Sequence, residues 1–307
     1  MTPEVGAYSV TKSFGSTMAL NDVSFEASPS TIFGFIGPDG SGKTTLFRLV
    51  ATLLVPDKGS LSVCGFDPVK DHLEIRKITG YMPGRFSLYQ DLSVSENLEF
   101  YATVFGTTVS RNYDLISGIY SHLEPFKDRL AGKLSGGMKQ KLALCCALIH
   151  KPRLLILDEP TTGVDAVSRT EFWEILAGLR NSEITVIVST PYMDEAMKCD
   201  SVALIQDGTI LGTGTPSEIT AGFTGTLWAA TAKEKLNLLK ALRLYPATAT
   251  AYPFGDSVHV TFKNGDPGND LKQFLEGKGI TTFGMVKIGP SIEDRFLELM
   301  SKEKSHE

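Results

Sequence analysis

The sequence predicts an α/β fold: a mainly parallel sheet with helices, antiparallel additions, and a small second α/β region at the C-terminal end. Three observations carry this. Short apolar runs at Ile32–Ile36, Leu154–Leu157 and Thr185–Ser189 read as buried strands of a parallel sheet. Strand-like and helix-like segments alternate from about Ala7 to Ala221. Asp207-Gly208 separates the strand candidates Val202–Gln206 and Thr209–Thr213, a strong signal for a two-residue hairpin.

The elements follow in order. Ile32–Ile36 runs into a glycine-rich loop and then the helical pattern Leu46–Leu54. Ser93–Phe105, Gly137–Ile149 and Val167–Leu179 read as further helices. After Gly222 the character changes. Strand candidates Thr226–Thr231, Ser257–Phe262 and Thr282–Ile288 alternate with helix candidates Lys233–Leu244, Asp270–Lys278 and Ser291–Ser301, punctuated by Pro253, Gly255, Gly265, Pro267 and Gly268. The expectation is a main domain over residues 1–222 and a small extension over 223–307, with Lys302–Glu307 as a solvated, frayed tail.

Composition narrows the class of function. Acidic residues outnumber basic ones by 35 to 30, a net charge of −5, so no nucleic-acid partner is expected. No apolar run approaches the ~18 residues of a membrane span, and the N-terminus lacks a signal-peptide pattern. The expectation is a chain kept in the cytosol. Cys64, Cys145, Cys146 and Cys199 show no metal-binding spacing and read as reduced, buried thiols. His72, His122, His150, His259 and His306 are scattered without acid or cysteine partners, and read as surface or packing residues; Trp173 and Trp228 read as packing anchors.

Gly37-Pro38-Asp39-Gly40-Ser41-Gly42-Lys43-Thr44 fits G-x-x-x-x-G-K-S/T in full, between a strand and a helix. Glycines let successive backbone N–H groups turn toward phosphate oxygens, and the helix N-terminus starting near Thr45 adds positive potential. Lys43 can reach the β- and γ-phosphates, and the Thr44 hydroxyl can ligate Mg²⁺. Downstream, Leu154–Leu157 ends in Asp158-Glu159. Two adjacent acids at the end of a buried strand need a reason. Mg²⁺ held by Asp158, with Glu159 polarising an attacking water, supplies one.

Between these motifs lies Leu134-Ser135-Gly136-Gly137-Met138, opening a helix. Here the chain resembles the ABC transporter ATPases, whose signature loop reads LSGGQ or LSGGM. Phe14 matches the position of an aromatic that stacks on adenine, and Gly163-Val164-Asp165 matches a loop that crosses the dimer interface. The resemblance implies a P-loop NTPase core of ABC ATPase type, with an antiparallel β addition and a helical signature subdomain at about residues 84–150. It implies ATP with Mg²⁺ as cofactors, and a head-to-tail dimer in which Ser135, Gly136 and Gly137 act on the partner's nucleotide. It also implies separate integral membrane subunits, contacted around Gly84–Tyr89, and a place on the cytoplasmic face of the membrane. The extension, with Ile292-Glu293-Asp294-Arg295-Phe296-Leu297, is similar to that of bacterial ATPases exporting drugs or other hydrophobic compounds.

Two positions depart from the family pattern. Gly84 stands where a Gln contacts Mg²⁺ and the attacking water, and Pro191 where a His contacts the γ-phosphate. Neither can do that work. The expectation is a slow or degenerate own site, with an intact signature loop completing the site of a second ATPase subunit, in a heterodimer rather than a homodimer. Retained Glu159 speaks for slow turnover. The alternatives are a non-hydrolysing regulatory subunit and a soluble ABC protein not tied to transport.

Overall fold

The structure, a computed structural model, describes residues 2–303. Of the expected frayed tail Lys302–Glu307, residues 302 and 303 instead complete the last helix, where Lys302 bonds Glu298 at 2.8 Å, and the rest, with His306, lies outside the described residues. The chain divides into two compact units, Met1–Pro216 and Ser217–Glu307. The division falls a few residues before the compositional change at Gly222, within a short helix.

The first unit contains two sheets. β1 (Val5–Phe14) pairs antiparallel with β2 (Thr17–Ala27) on one side and β4 (Lys58–Val63) on the other. Sequence reading left these strands unassigned individually. They are half-buried, with Val23, Phe25 and Ala27 inward and exposed residues between, so they carry no continuous apolar run.

The six-stranded sheet runs β5 (Thr79–Met82), β6 (Leu154–Asp158), β7 (Thr185–Thr190), β3 (Ile32–Ile36), β8 (Ser201–Gln206), β9 (Thr209–Gly214). All neighbours are parallel except β8 and β9. Every residue of β3, β6 and β7 is buried, as expected for strands covered on both faces. The hairpin joining β8 and β9 turns at Asp207 and Gly208, both with positive φ (47° and 78°), the conformation an Asp-Gly turn favours.

Helices α1 (Lys43–Val50), α2 (His72–Lys77), α3 (Val94–Val104), α4 (Tyr113–Tyr120), α5 (Gly136–Leu148) and α6 (Ala166–Gly178) complete this unit with short 3₁₀ turns. α1 starts at Lys43, earlier than apolar periodicity suggests, because the glycine-rich loop feeds straight into the first helical turn. α3 starts on a capping box in which Ser93 and Glu96 bond each other's backbone N–H. An aromatic chain joins the two sheets: Phe25 to Phe35 at 4.8 Å and Phe35 to Phe47 at 5.5 Å, both edge-on. Such pairs add about 0.5–1.5 kcal/mol each beyond burial.

α7 (Pro216–Ala221) spans the division between units. The second unit is an antiparallel sheet in the order β11 (Thr248–Phe254), β12 (Ser257–Phe262), β10 (Leu227–Ala232), β13 (Phe283–Ile288), with α8 (Lys235–Leu244), α9 (Leu271–Gly277) and α10 (Ile292–Glu303). β11 escaped the sequence reading because Pro253 argues against a strand. It is an edge strand, where a missing N–H is tolerated.

The scattered residues settle into packing. The four cysteines are free and buried. His150 stacks on Phe105 at 3.7 Å, and buried His259 bonds Asp294 at 2.6 Å. Trp173 is buried, and the Trp228 indole donates to the Gly265 carbonyl at 3.0 Å. Among the described residues no helix is long and apolar enough to cross a membrane.

Candidate functional site

Strand register assembles the site. Ile36 pairs with Thr190, Asp158 with Ser189, and Met82 with Leu157, so the carboxyl ends of β3, β7, β6 and β5 lie along one edge. In an open α/β sheet this edge is where ligands bind. The loop Gly37–Gly42 leaves β3 here and enters α1. Two of its glycines have no room for a side chain: a Cβ on Gly37 would come within 2.0 Å of the Ile205 carbonyl oxygen, and one on Gly42 (φ 102°) within 2.6 Å of the Ala19 carbonyl oxygen. Pro38 is half-buried, while Asp39 and Gly40 are exposed at the tip. Ser41 is buried with its Oγ unpartnered, and Thr45 is half-buried on the first turn of α1.

Lys43 is 3% exposed. Its ammonium donates to the Gly37 and Pro38 carbonyls, each at 2.8 Å, and lies 3.3 Å from the Glu159 carboxylate. Thr44 Oγ1 donates to Asp158 Oδ1 at 3.2 Å. Asp158 is buried, and the same oxygen accepts from Ser189 Oγ at 2.7 Å; that hydroxyl in turn accepts the Glu159 N–H at 2.9 Å. Glu159 has φ 50°, a left-handed conformation unusual for a non-glycine residue. This turns the chain sharply after β6 and brings its carboxylate back to Lys43. Backbone N–H groups, one buried cation, a hydroxyl–carboxylate pair and a second acid paired with that cation thus converge. Such a set suits a phosphate chain with a hard cation, since Thr44 and Asp158 supply adjacent oxygen donors.

Gly84 and Pro191 lie at the same edge. A Cβ on Gly84 would stand 3.2 Å from the Asp158 carbonyl and 3.8 Å from its Oδ2. Pro191 follows Thr190, whose carbonyl accepts the Gly37 N–H at 3.3 Å.

The remaining expected residues sit elsewhere on the unit. Phe14, at the end of β1, is 48% exposed, with the Lys12 ammonium 5.7 Å from its ring centre. Ser135 caps α5, its Oγ accepting the Met138 N–H at 3.3 Å. Asp165 caps α6, accepting the Ser168 and Val167 N–H groups at 3.0 and 3.1 Å and the Ser168 hydroxyl at 2.8 Å. The Ser168 bonds, backbone first, hold this carboxyl below the ordinary range. The two helix starts meet: a Cβ on Gly136 would lie 3.5 Å from the Gly163 carbonyl, and one on Gly137 would collide with Ser168.

Two contributors escaped sequence reading, Ser189 and Ser168: Ser189 meets Asp158 and Ser168 meets Gly137 across elements that are distant in sequence. The only local hint was Ser189 at the polar end of an apolar strand.

A groove of about 440 Å³ opens beside this edge. The loop from Arg85 to Leu88 forms one wall and Tyr101 and Phe105 another, with Leu53 and Val104 more than half exposed at its margin.

Comparison with known proteins bears on this site. A family model described as ABC transporter matches residues 20–162. The chain is 39% identical over 274 residues to the probable multidrug ABC transporter ATP-binding protein YbhF of Escherichia coli K12. The match takes in 88% of this chain and 47% of that protein, so the chain spans about half the length of this relative. It is 32% identical to the Nod factor export ATP-binding protein I of Rhizobium sp. N33, over 96% of both chains. Among solved structures, an ATP-binding subunit of an ABC transporter superposes with a TM-score of 0.65 at 24% identity, covering 71% of this chain and 92% of that one. The ATP-binding cassette MJ0796 bound to ADP and Pi gives 0.62 at 23%, covering 69% and 98%. These two structural likenesses speak to the fold.

Proposed function

This chain belongs to the family of ABC transporter ATP-binding proteins, and we propose that it binds MgATP at Gly37–Thr45 to power an exporter built from further chains. The convergence of Lys43, Thr44, Asp158 and Glu159 at one sheet edge carries this reading. Loop N–H groups and Lys43 take the phosphates, and Phe14 offers an exposed ring for adenine. Thr44 and Asp158 would hold Mg²⁺, which would supply neutralisation of phosphate charge. Glu159 orients water at the γ-phosphate. The work is positioning and charge compensation rather than covalent chemistry.

Ser135, Gly136 and Gly137 present a second helix start suited to the phosphates of a nucleotide on a second ATPase subunit, with the Asp165 loop beside it at the start of α6. Differential affinity of ATP for the closed pair drives closure. The apolar groove walled by Arg85–Leu88 suits a segment of a membrane subunit, and exposed Leu53 and Val104 at its margin favour an apolar partner there. Export follows the names of the relatives, one a multidrug transporter protein and one a Nod factor export protein, and drugs or other hydrophobic compounds are the proposed cargo. On this reading the chain works at the cytoplasmic face of a membrane.

Gly84 and Pro191 leave the own site without two polar side chains, so it binds ATP and turns over slowly, and a heterodimer supplies the faster site. A purely regulatory, non-hydrolysing subunit is the second reading, favoured by the same two positions and opposed by the placement of Glu159. Calorimetric titration and a phosphate-release assay on the purified chain test this. MgATP binds, Lys43→Ala weakens binding at least about tenfold, and turnover of the isolated chain is low. Robust hydrolysis abolished by Glu159→Gln would sink the slow-site reading, and absent ATP binding would sink the whole.

A further inference from the structure

Behind Pro191 lies a carboxylate with no part in the phosphate chemistry. Glu195 is 3% exposed and sits in the 3₁₀ turn Met193–Lys198. Its Oε2 accepts from Thr161 Oγ1 at 3.1 Å and from Thr190 Oγ1 at 2.5 Å. Its Oε1 makes no hydrogen bond and faces Arg169 Nε at 3.6 Å. Arg169 also pairs with Asp194 at 3.1 Å and lies 4.6 Å from the centre of the Tyr192 ring. Burying a carboxylate is costly unless polar and charged partners meet it, so the position of Glu195 depends on Thr161, Thr190 and Arg169 together.

The partners come from three segments. Thr190 ends β7, and its carbonyl bonds the Gly37 N–H at the start of the phosphate loop. Thr161 lies just beyond Glu159. Arg169 is one turn into α6, its N–H donating to the Asp165 carbonyl at 2.9 Å. Its neighbour Ser168 is the residue that fills the missing side chain of Gly137. A single buried acid therefore fastens the loop after β7 to the loop that carries Asp165.

We infer that Glu195 is a positioning residue that ties the phosphate loop to the Asp165 loop, and through Ser168 to the Ser135–Gly137 loop of the same chain. Nucleotide arriving at one anion site is thereby felt at the other. The inference rests on the phosphate-binding reading above. With Pro191 offering no polar side chain, the loop after β7 transmits through the Thr190 backbone and Glu195. Gln at position 195 keeps the size but replaces one acceptor oxygen with a donor and removes the charge that faces Arg169.

Hydrogen–deuterium exchange on the full chain, with and without MgATP, tests this. In the wild type, ATP slows exchange across residues 135–138 and 161–168. In Glu195→Gln, ATP affinity stays within about threefold of wild type, while the slowing at both segments falls by about tenfold. Arg169→Ala loses the response and Arg169→Lys keeps most of it, which simple loss of packing would not produce. Unchanged exchange in β3 and β6 reports an intact fold. Full slowing in Glu195→Gln with ATP bound overturns the inference. If that variant does not fold, equal responses in Arg169→Ala and Arg169→Lys overturn it. Failure of the wild type to bind ATP overturns the phosphate-binding reading, and this inference with it.

Discussion

Ser168 occupies the space that a side chain on Gly137 would need: a Cβ built on Gly137 lies 2.6 Å from Ser168 Oγ and 2.9 Å from its Cβ. The glycine is thus required by the start of α6 as well as by any ligand at the start of α5. Gly137→Ala is expected to destabilise the first unit by about 1–3 kcal/mol through overpacking, against up to about 1 kcal/mol regained from helix preference. Ser168→Gly in the same chain removes the obstacle and restores most of the loss. Thermal unfolding of the two single variants and the double variant closes the cycle. Purely additive effects would show that the two residues do not press on one another.

Gly84 and Pro191 follow the carboxyl ends of β5 and β7, the strands on either side of β6, which ends in Asp158. At Gly84 only the Asp158 carbonyl, at 3.2 Å, crowds a new Cβ, so a Gln there needs a shift of a few tenths of an ångström. Gly84→Gln combined with Pro191→His is expected to raise turnover of the isolated chain by at least about tenfold. ATP affinity stays unchanged, because Lys43 and the loop N–H groups already hold the phosphates. A phosphate-release assay measures the first and a calorimetric titration the second. An unaltered rate would mean that these positions do not limit the reaction.

In the second unit Glu298 ties residue 224 to α10. Burial pushes its carboxyl up, but bonds from Lys302, Thr224 and Arg295 outweigh this and hold it down at about 2, against 4.5 for a free glutamate. Because the folded value lies below the unfolded one, the unfolded chain binds more protons between these limits. The stabilisation is present above about pH 4.5 and is lost as pH falls toward about 2. Glu298→Gln is expected to flatten this part of the acid-unfolding profile followed by circular dichroism. A profile identical to wild type would assign acid sensitivity to other groups.

How much could be read in advance differs from residue to residue. The loop Gly37–Thr44 was legible because its requirements are local: glycines where the chain passes close to other backbone, then Lys and Thr at a helix start. Asp158-Glu159 was legible because two acids after four apolar residues are unusual. β11 was not, since Pro253 masks an edge strand, and neither was the half-buried pairing of β1 with β2 and β4. Glu195 lies in a short 3₁₀ turn beside exposed Asp194, and nothing local tells that it is buried.

The sequence by itself determined the class of fold, the phosphate loop, the paired acids and the two helix starts at Ser135 and Asp165, because each depends on backbone conformation and short-range periodicity. Only the tertiary structure decided which of them meet. Lys43 reaches Glu159 and Thr44 reaches Asp158 because the register of β3, β6 and β7 brings residues more than a hundred positions apart to one edge, where Thr161 and Thr190 also come to share Glu195. Register is set by the burial of whole strands in a common core, and no local pattern encodes it.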